Sequence, residues 1–125
     1  MWVCLSAVSN YNKAMNSGRL QRPTSVRDLL FFAIENKRLI TFEYQGYPRV
    51  AEPHDYGIMN SVSTLLVYQV RGQSKTKHVP GWKHIREGEI RRLQVLDEQF
   101  SGGRTVPSGR HKKWDKVFIR VAPAA

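Results

Sequence analysis

Leu39-Ile40-Thr41-Phe42-Glu43-Tyr44-Gln45-Gly46-Tyr47-Pro48-Arg49-Val50-Ala51-Glu52-Pro53 is the stretch that decides the fold class. In an extended chain Ile40, Phe42 and Tyr44 share one face, while Thr41 and Glu43 lie on the other. Gln45-Gly46-Tyr47-Pro48 supplies turn chemistry, and Arg49–Glu52 reads as the returning strand. Pro53 has no amide hydrogen to give to a ladder, so the strand is expected to end there. His54, Asp55, Tyr56 and Gly57 follow, and Met59-Asn60-Ser61 reads as a loop.

Upstream of this hairpin the period is helical. Ser25-Val26-Arg27-Asp28 has capping-box spacing, with the Ser25 hydroxyl placed to accept an amide three residues on. Val26, Leu29, Leu30, Ala33 and Ile34 then fall on one side, and Phe31 and Phe32 widen that face into one suited to a core. Glu35–Arg38 closes the helix with polar and basic residues. Downstream, Thr64–Arg71 reads as a third strand and Gly72-Gln73-Ser74-Lys75 as its turn. Lys77–Ile85 is a fourth strand, interrupted by Pro80-Gly81 and therefore placed at an edge or on a bulge. Arg86-Glu87-Gly88 is a turn, and Glu89–Leu96 a fifth strand with Ile90 and Leu93 or Val95 inward. One helix and five short strands predict a mainly β domain, a small and partly open five-stranded barrel.

This order of elements resembles the WYL domain family over roughly Val26 to Phe100. The most specific piece is Arg49-Val50-Ala51-Glu52-Pro53-His54, which is similar to the family's R-x-x-E-P segment. Tyr68 matches the central Tyr of the naming triplet, with Val67 and Gln69 in place of Trp and Leu. A later R-x-F-x-x-x-R-I segment is matched loosely by Lys83-His84-Ile85 and Glu89-Ile90, where Glu89 replaces a basic residue. The resemblance implies an Sm-like β-barrel and a bacterial ligand-sensing module of transcriptional regulation, with some members binding single-stranded nucleic acid or nucleotide-like molecules. It also implies that Arg49, Tyr68 and Lys83 stand around a pocket.

Length and composition fit one core. A chain of 125 residues buries roughly two-thirds of its unfolded surface, and 41% hydrophobic residues favour folding over disorder. The expected division is a flexible segment at 1–24, the barrel at 25–100, and a Gly-rich linker with a basic C-terminal segment at 101–125. Within that last segment Val117, Ile119 and Val121 alternate and can add a strand. No apolar run approaches a membrane span, and Trp2–Val8 lacks the basic flank of a signal peptide. One cysteine, Cys4, cannot form an internal disulfide, so a cytoplasmic home is the simplest expectation.

The formal charge of +10 is unevenly spread. Residues 25–74 hold five basic and five acidic residues, whereas residues 75–96 hold six basic against two acidic. Such asymmetry is a footprint for a polyanion, or a solvated surface that only aids solubility. Lys77, His78, Trp82, Lys83, His84 and Arg86 cluster together, and Arg110-His111-Lys112-Lys113-Trp114 repeats the mixture. Bases stack on rings while cations meet phosphates, which favours nucleic acid or a nucleotide-like anion. The expected binding residues are Arg49, His54, Tyr68, Lys83 and Arg86. His54 is expected to point outward where the chain leaves the sheet after Pro53. Tyr68 also fits a plain core role, Trp82 an edge seal, and Arg49 an ion pair with Glu43. The main rival is a protein-interaction module whose basic tails dock an acidic partner. No catalytic motif, metal-ligand spacing or cofactor loop stands out, and Gly102-Gly103-Arg104 is only a weak phosphate signal. The expectation is a non-enzymatic module without a cofactor.

Overall fold

The computed structural model describes residues 25–75, 78–104 and 114–124. The expectations for residues 1–24, for Cys4 and Lys77, and for the basic run from Arg110 to Lys113 lie outside these residues. Helix α1 spans Val26–Glu35. Ser25 caps it, its Oγ accepting the Asp28 amide at 3.1 Å, as the box spacing predicts. Leu30, Ala33 and Ile34 are buried on one face, with Phe31 and Phe32 half-buried beside them. Lys37 takes a left-handed φ of 53°, which turns the chain out of the helix and into the first strand.

Six strands follow: β1 Arg38–Tyr44, β2 Tyr47–Met59, β3 Val62–Gly72, β4 Gly81–Arg86, β5 Arg91–Gln99 and β6 Lys116–Arg120. All pair antiparallel in the order β4-β3-β2-β1-β5, with β6 joined to β2. Two tight hairpins set the registers. Gln45-Gly46 (φ 54° and 80°) links β1 to β2, and Asn60-Ser61 (φ 51° and 65°) links β2 to β3. Paired left-handed residues match the twist of adjacent strands, so both turns hold their partners in line.

β2 departs from the sequence reading. It does not stop at Pro53 but continues to Met59 as one strand of 13 residues. The register against β3 shifts between Pro53 and Asp55, and this irregularity accommodates the residue that has no amide to donate. The first half of β2 pairs with β1 through Tyr47–Ala51, and the second half pairs with β6 through Asp55–Ile58. Other boundaries also move: β2 already begins at Tyr47, β3 begins at Val62 and β5 runs on to Gln99. β4 begins at Gly81 rather than Lys77, and Glu87–Glu89 is a 3-10 turn, so β5 starts at Arg91.

The core lies between α1 and one face of the sheet, where Leu30, Ile34, Ile40, Phe42, Tyr56, Leu65, Val67, Ile85 and Val95 are buried together. Alternation along β1 holds as read, with Ile40, Phe42 and Tyr44 inward and Thr41 and Glu43 half-exposed. The sheet is not closed. Among the described residues β4 and β5 share no ladder, so a five-stranded barrel gives way to an open sheet of six strands. Side chains tie the end of β4 and the turn after it back to β1 and β2. The Arg86 amide donates to Tyr44 Oη at 3.2 Å, and the Tyr56 hydroxyl donates to Glu87 in the 3-10 turn. Burial and that carboxylate together push the Tyr56 phenol well above its ordinary range.

Gly57 sets how closely β6 approaches. A Cβ there would lie 2.1 Å from the Lys116 carbonyl oxygen. Gly57→Ala is therefore expected to force β2 and β6 apart and to cost roughly 1–3 kcal/mol in urea unfolding. Amide exchange should accelerate at Lys116–Arg120 and stay slow in β1, a pattern that an evenly spread loss would contradict.

Candidate functional site

Two clefts of opposite character flank Trp82. The first, of about 580 Å³, is lined by the basic or ionisable residues Arg49, Lys75, His78, Lys83 and His84, together with Tyr44 and Trp82. Each comes from a different constraint. Tyr44 and Arg49 flank the first hairpin, Lys75 and His78 lie on the β3–β4 connection, and Trp82–His84 follow one another on β4, which pairs with β3 alone. Among the described residues no carboxylate lines this cleft. An adjoining hollow of about 340 Å³ shares Tyr44 and His84 and adds Arg86.

Arg49 is the fixed cation of the first cleft, only 3% exposed. Its Nη2 donates to the Tyr44 carbonyl at 3.3 Å and its Nη1 to Gln69 Oε1 at 3.4 Å. Gln69 is itself oriented by donating Nε2 to the carbonyls of Arg71 and Gln73. The guanidinium also lies over Tyr44 and Tyr47, at 5.1 and 5.9 Å. Its Nε is buried without a hydrogen-bond partner. Burial lowers the Arg49 pKa from its ordinary value, against the opposing pull of Tyr44 and Tyr47. The expected pairing with Glu43 does not form; the cation is held by neutral oxygens instead. A buried cation without a carboxylate favours any anion that reaches it.

The second cleft, of about 720 Å³, is lined by Glu52, Tyr68, Trp82, Arg104 and the glycines before Arg104. Glu52, Tyr68 and Trp82 stand opposite one another in register across β2, β3 and β4. Strand alternation puts them on the face opposite Ala51, Val67 and Ile85 of the core. Arg104 donates Nε and Nη2 to the two Glu52 oxygens at 3.0 and 2.8 Å, a forked pair. The Arg104 guanidinium carbon also lies 3.6 Å from the Tyr68 ring centre. His54 Nε2 sits 3.0 Å from Glu52 Oε1, and the His54 ring packs against Trp82 and Phe100. Burial alone would raise the Glu52 pKa, but hydrogen bonds from His54 and Arg104 outweigh it and hold the carboxyl below the usual range.

The residues beyond β5 and β6 complete this second cleft. The Gly103 amide donates to the Ala122 carbonyl at 2.8 Å, and the Val121 amide donates to the His54 carbonyl at 2.8 Å. Gly102 has a φ of 123°, and a Cβ there would lie 2.5 Å from the Ala122 oxygen. Asp55 is held separately by Arg120, through a fork at 2.9 and 3.2 Å. His54 and Asp55 thus serve different partners, as their adjacency in an extended strand requires.

The expected binding residues are split between these places. Arg49 and Lys83 share the basic cleft, and Arg86 lines the hollow next to it, where its Nη1 meets Glu89 at 3.4 Å. Tyr68 and His54 lie on the far side of Trp82. Tyr68 is half-buried and faces the second cleft rather than the core. His54 corrects the expectation of an outward ring, since it is 1% exposed. The strand runs on past Pro53, and Trp82, Phe100 and Val121 close over it. Sequence reading missed Lys75 and the role of Arg104. The signal for Arg104 was Glu52 itself, a carboxylate between Ala51 and Pro53 that needs a cation once the strand is buried.

No protein-family model, curated protein or solved structure matches this chain. Among the described residues no cluster of His, Cys, Asp and Glu is arranged to hold a metal ion, and no helix is long and apolar enough to cross a membrane.

The depressed Glu52 pKa has a stability consequence. The unfolded chain binds a proton at Glu52 at higher pH than the folded one does. The contribution of the ionised network is therefore present above the ordinary carboxylate range and is lost as pH falls through the lower folded value. Acid titration of stability should show this loss, and Glu52→Gln should flatten that limb while lowering stability at neutral pH. An unchanged acid limb in the variant would contradict the assignment.

Proposed function

We propose that the chain is a non-enzymatic, WYL-like regulatory or ligand-sensing module that binds single-stranded nucleic acid or a nucleotide-like anion in the basic cleft beside Trp82. The observation that carries this reading is the lining of that cleft, in which Arg49, Lys75, His78, Lys83 and His84 join Tyr44 and Trp82 with no acidic residue among the described ones. Its volume lies in the range of small-ligand sites. Phosphate oxygens are the natural partners for Arg49, Lys75 and Lys83, and bases stack on aromatic residues in sites of this kind. The resemblance of Arg49–His54 to the family's R-x-x-E-P segment points to the same neighbourhood. Arg86 extends the cationic track along β4, and the surplus of basic over acidic residues between 75 and 96 supplies long-range attraction.

Binding to a short single-stranded oligonucleotide should fall with salt. With ~4 phosphate contacts, a log–log slope of about −3 is expected. Lys83→Ala with Arg86→Ala should weaken binding and bring the slope to about −1.5, because each lost contact removes roughly 0.7. Salt-independent binding, or none at low ionic strength, would overturn the reading.

Glu89 offers a test in the opposite direction. Its exposed pairing with Arg86 competes with phosphate, so Glu89→Gln should tighten oligonucleotide binding by roughly two- to five-fold, as suits an exposed ion pair. Fluorescence anisotropy at fixed salt measures the change, and weaker binding by the variant would place Arg86 outside the contact surface.

A further inference from the structure

The second cleft has the chemistry of a receptor for a cation, and it goes beyond the anion-binding reading. We propose that Glu52, Tyr68 and Trp82 form a site for the arginine side chain of another polypeptide, and that Arg104 occupies this site in cis. The walls fit a guanidinium in particular. Both Glu52 oxygens accept from one planar fork, and a ring lies 3.6 Å from its carbon. An ammonium can neither bridge both oxygens in parallel nor stack. Trp82 stands edge-on to Tyr68, with ring centres 5.3 Å apart, and forms the next wall.

Receptor and occupant belong to different kinds of structure. Glu52, Tyr68 and Trp82 are held side by side by backbone ladders, so the walls persist without the guest. Arg104 lies outside every strand, and its side chain is 38% exposed, against 10% for Glu52. About 720 Å³ of cleft lies between the walls and the 101–104 segment, room for an incoming chain beside its arginine.

Electrostatics supplies the specificity. Among the described residues lining the cleft, Glu52 is the sole acidic one and Arg104 the sole basic one. With Arg104 withdrawn, Glu52 keeps only the contact with His54 and faces aromatic walls as an under-compensated buried carboxylate. That is a demand for a cation, and the rings favour a flat one. In the intact chain Arg104 acts as a tethered competitor at an effective concentration of order mM. A free arginine therefore binds poorly, and a partner succeeds by adding contacts along the cleft.

The test removes the occupant and returns the group. Full-length Arg104→Ala is titrated by calorimetry with N-acetyl-arginine-methylamide, and the matching citrulline compound serves as an uncharged control of similar shape. The expected result is binding at least about ten-fold tighter than to the wild-type chain, as loss of a tethered competitor predicts. The melting temperature of the variant should rise with the arginine probe and not with the citrulline one, because a ligand that binds only the folded state stabilises it. Adding Glu52→Gln to Arg104→Ala should abolish both effects. A folded Arg104→Ala chain that binds the arginine probe no better than wild type would overturn the proposal, as would equal binding of the citrulline control. Where Arg104→Ala fails to fold alone, the arginine probe is expected to restore a cooperative melt and the citrulline probe is not; failure to restore it counts against the proposal.

Discussion

The constraint on which the structure rests is the long second strand and the place where it slips. β2 shares ladders with three neighbours, pairing with β3 along most of its length, with β1 over its first half and with β6 over its second. An uninterrupted strand would meet Pro53 as a missing donor inside a sheet. The register shift against β3 removes that conflict and lets the strand continue, and residues Ala51–Gly57 are all buried as a result. Burial on that scale forces each polar side chain there to find a partner. Glu52 takes Arg104 and His54, and Asp55 takes Arg120. Two arginines of the molecule, Arg104 and Arg120, are thereby committed to β2.

Trp82 divides the result into two chemistries. On one side a cation, Arg49, is buried among neutral oxygens and rings; on the other an anion, Glu52, is buried with its counter-charge. Desolvation acts on both but is answered differently. Glu52 is compensated and its ionised form is favoured, whereas Arg49 has hydrogen bonds and ring contacts but no carboxylate beside it among the described residues. The two clefts thus differ in the sign of their buried charge, although they lie a single side chain apart.

How much of this was legible in the sequence depends on range. The Ser25 cap and the alternation of Ile40, Phe42 and Tyr44 are local, and both hold in the structure. The boundary at Pro53 was misread because proline's missing donor is a local fact, whereas the register shift that absorbs it belongs to the pairing with β3. The same error turned His54 outward. The last strand was anticipated from the alternation of Val117 and Ile119, but its place beside β2 depends on Gly57, which gave no sign of a close approach. Lys83 and Arg86 stood out as part of a dense cluster, and in the structure they line adjoining hollows rather than one. Arg104 and Glu52 lie 52 residues apart, and no periodicity connects them. Only the physical argument that a carboxylate in an apolar strand needs an opposite charge pointed that way, and it names a residue type without naming the residue.

The bonds between Gly103 and Ala122 and between Val121 and His54 have a mechanical meaning. The stretch after β5 and the stretch after β6 are stitched to each other as well as to β2, so a pull on either is transmitted to both. Whatever unzips β6 from its edge also loosens the seam that positions Arg104, and the fastening of one border of the sheet thereby governs the occupancy of a cavity on its face.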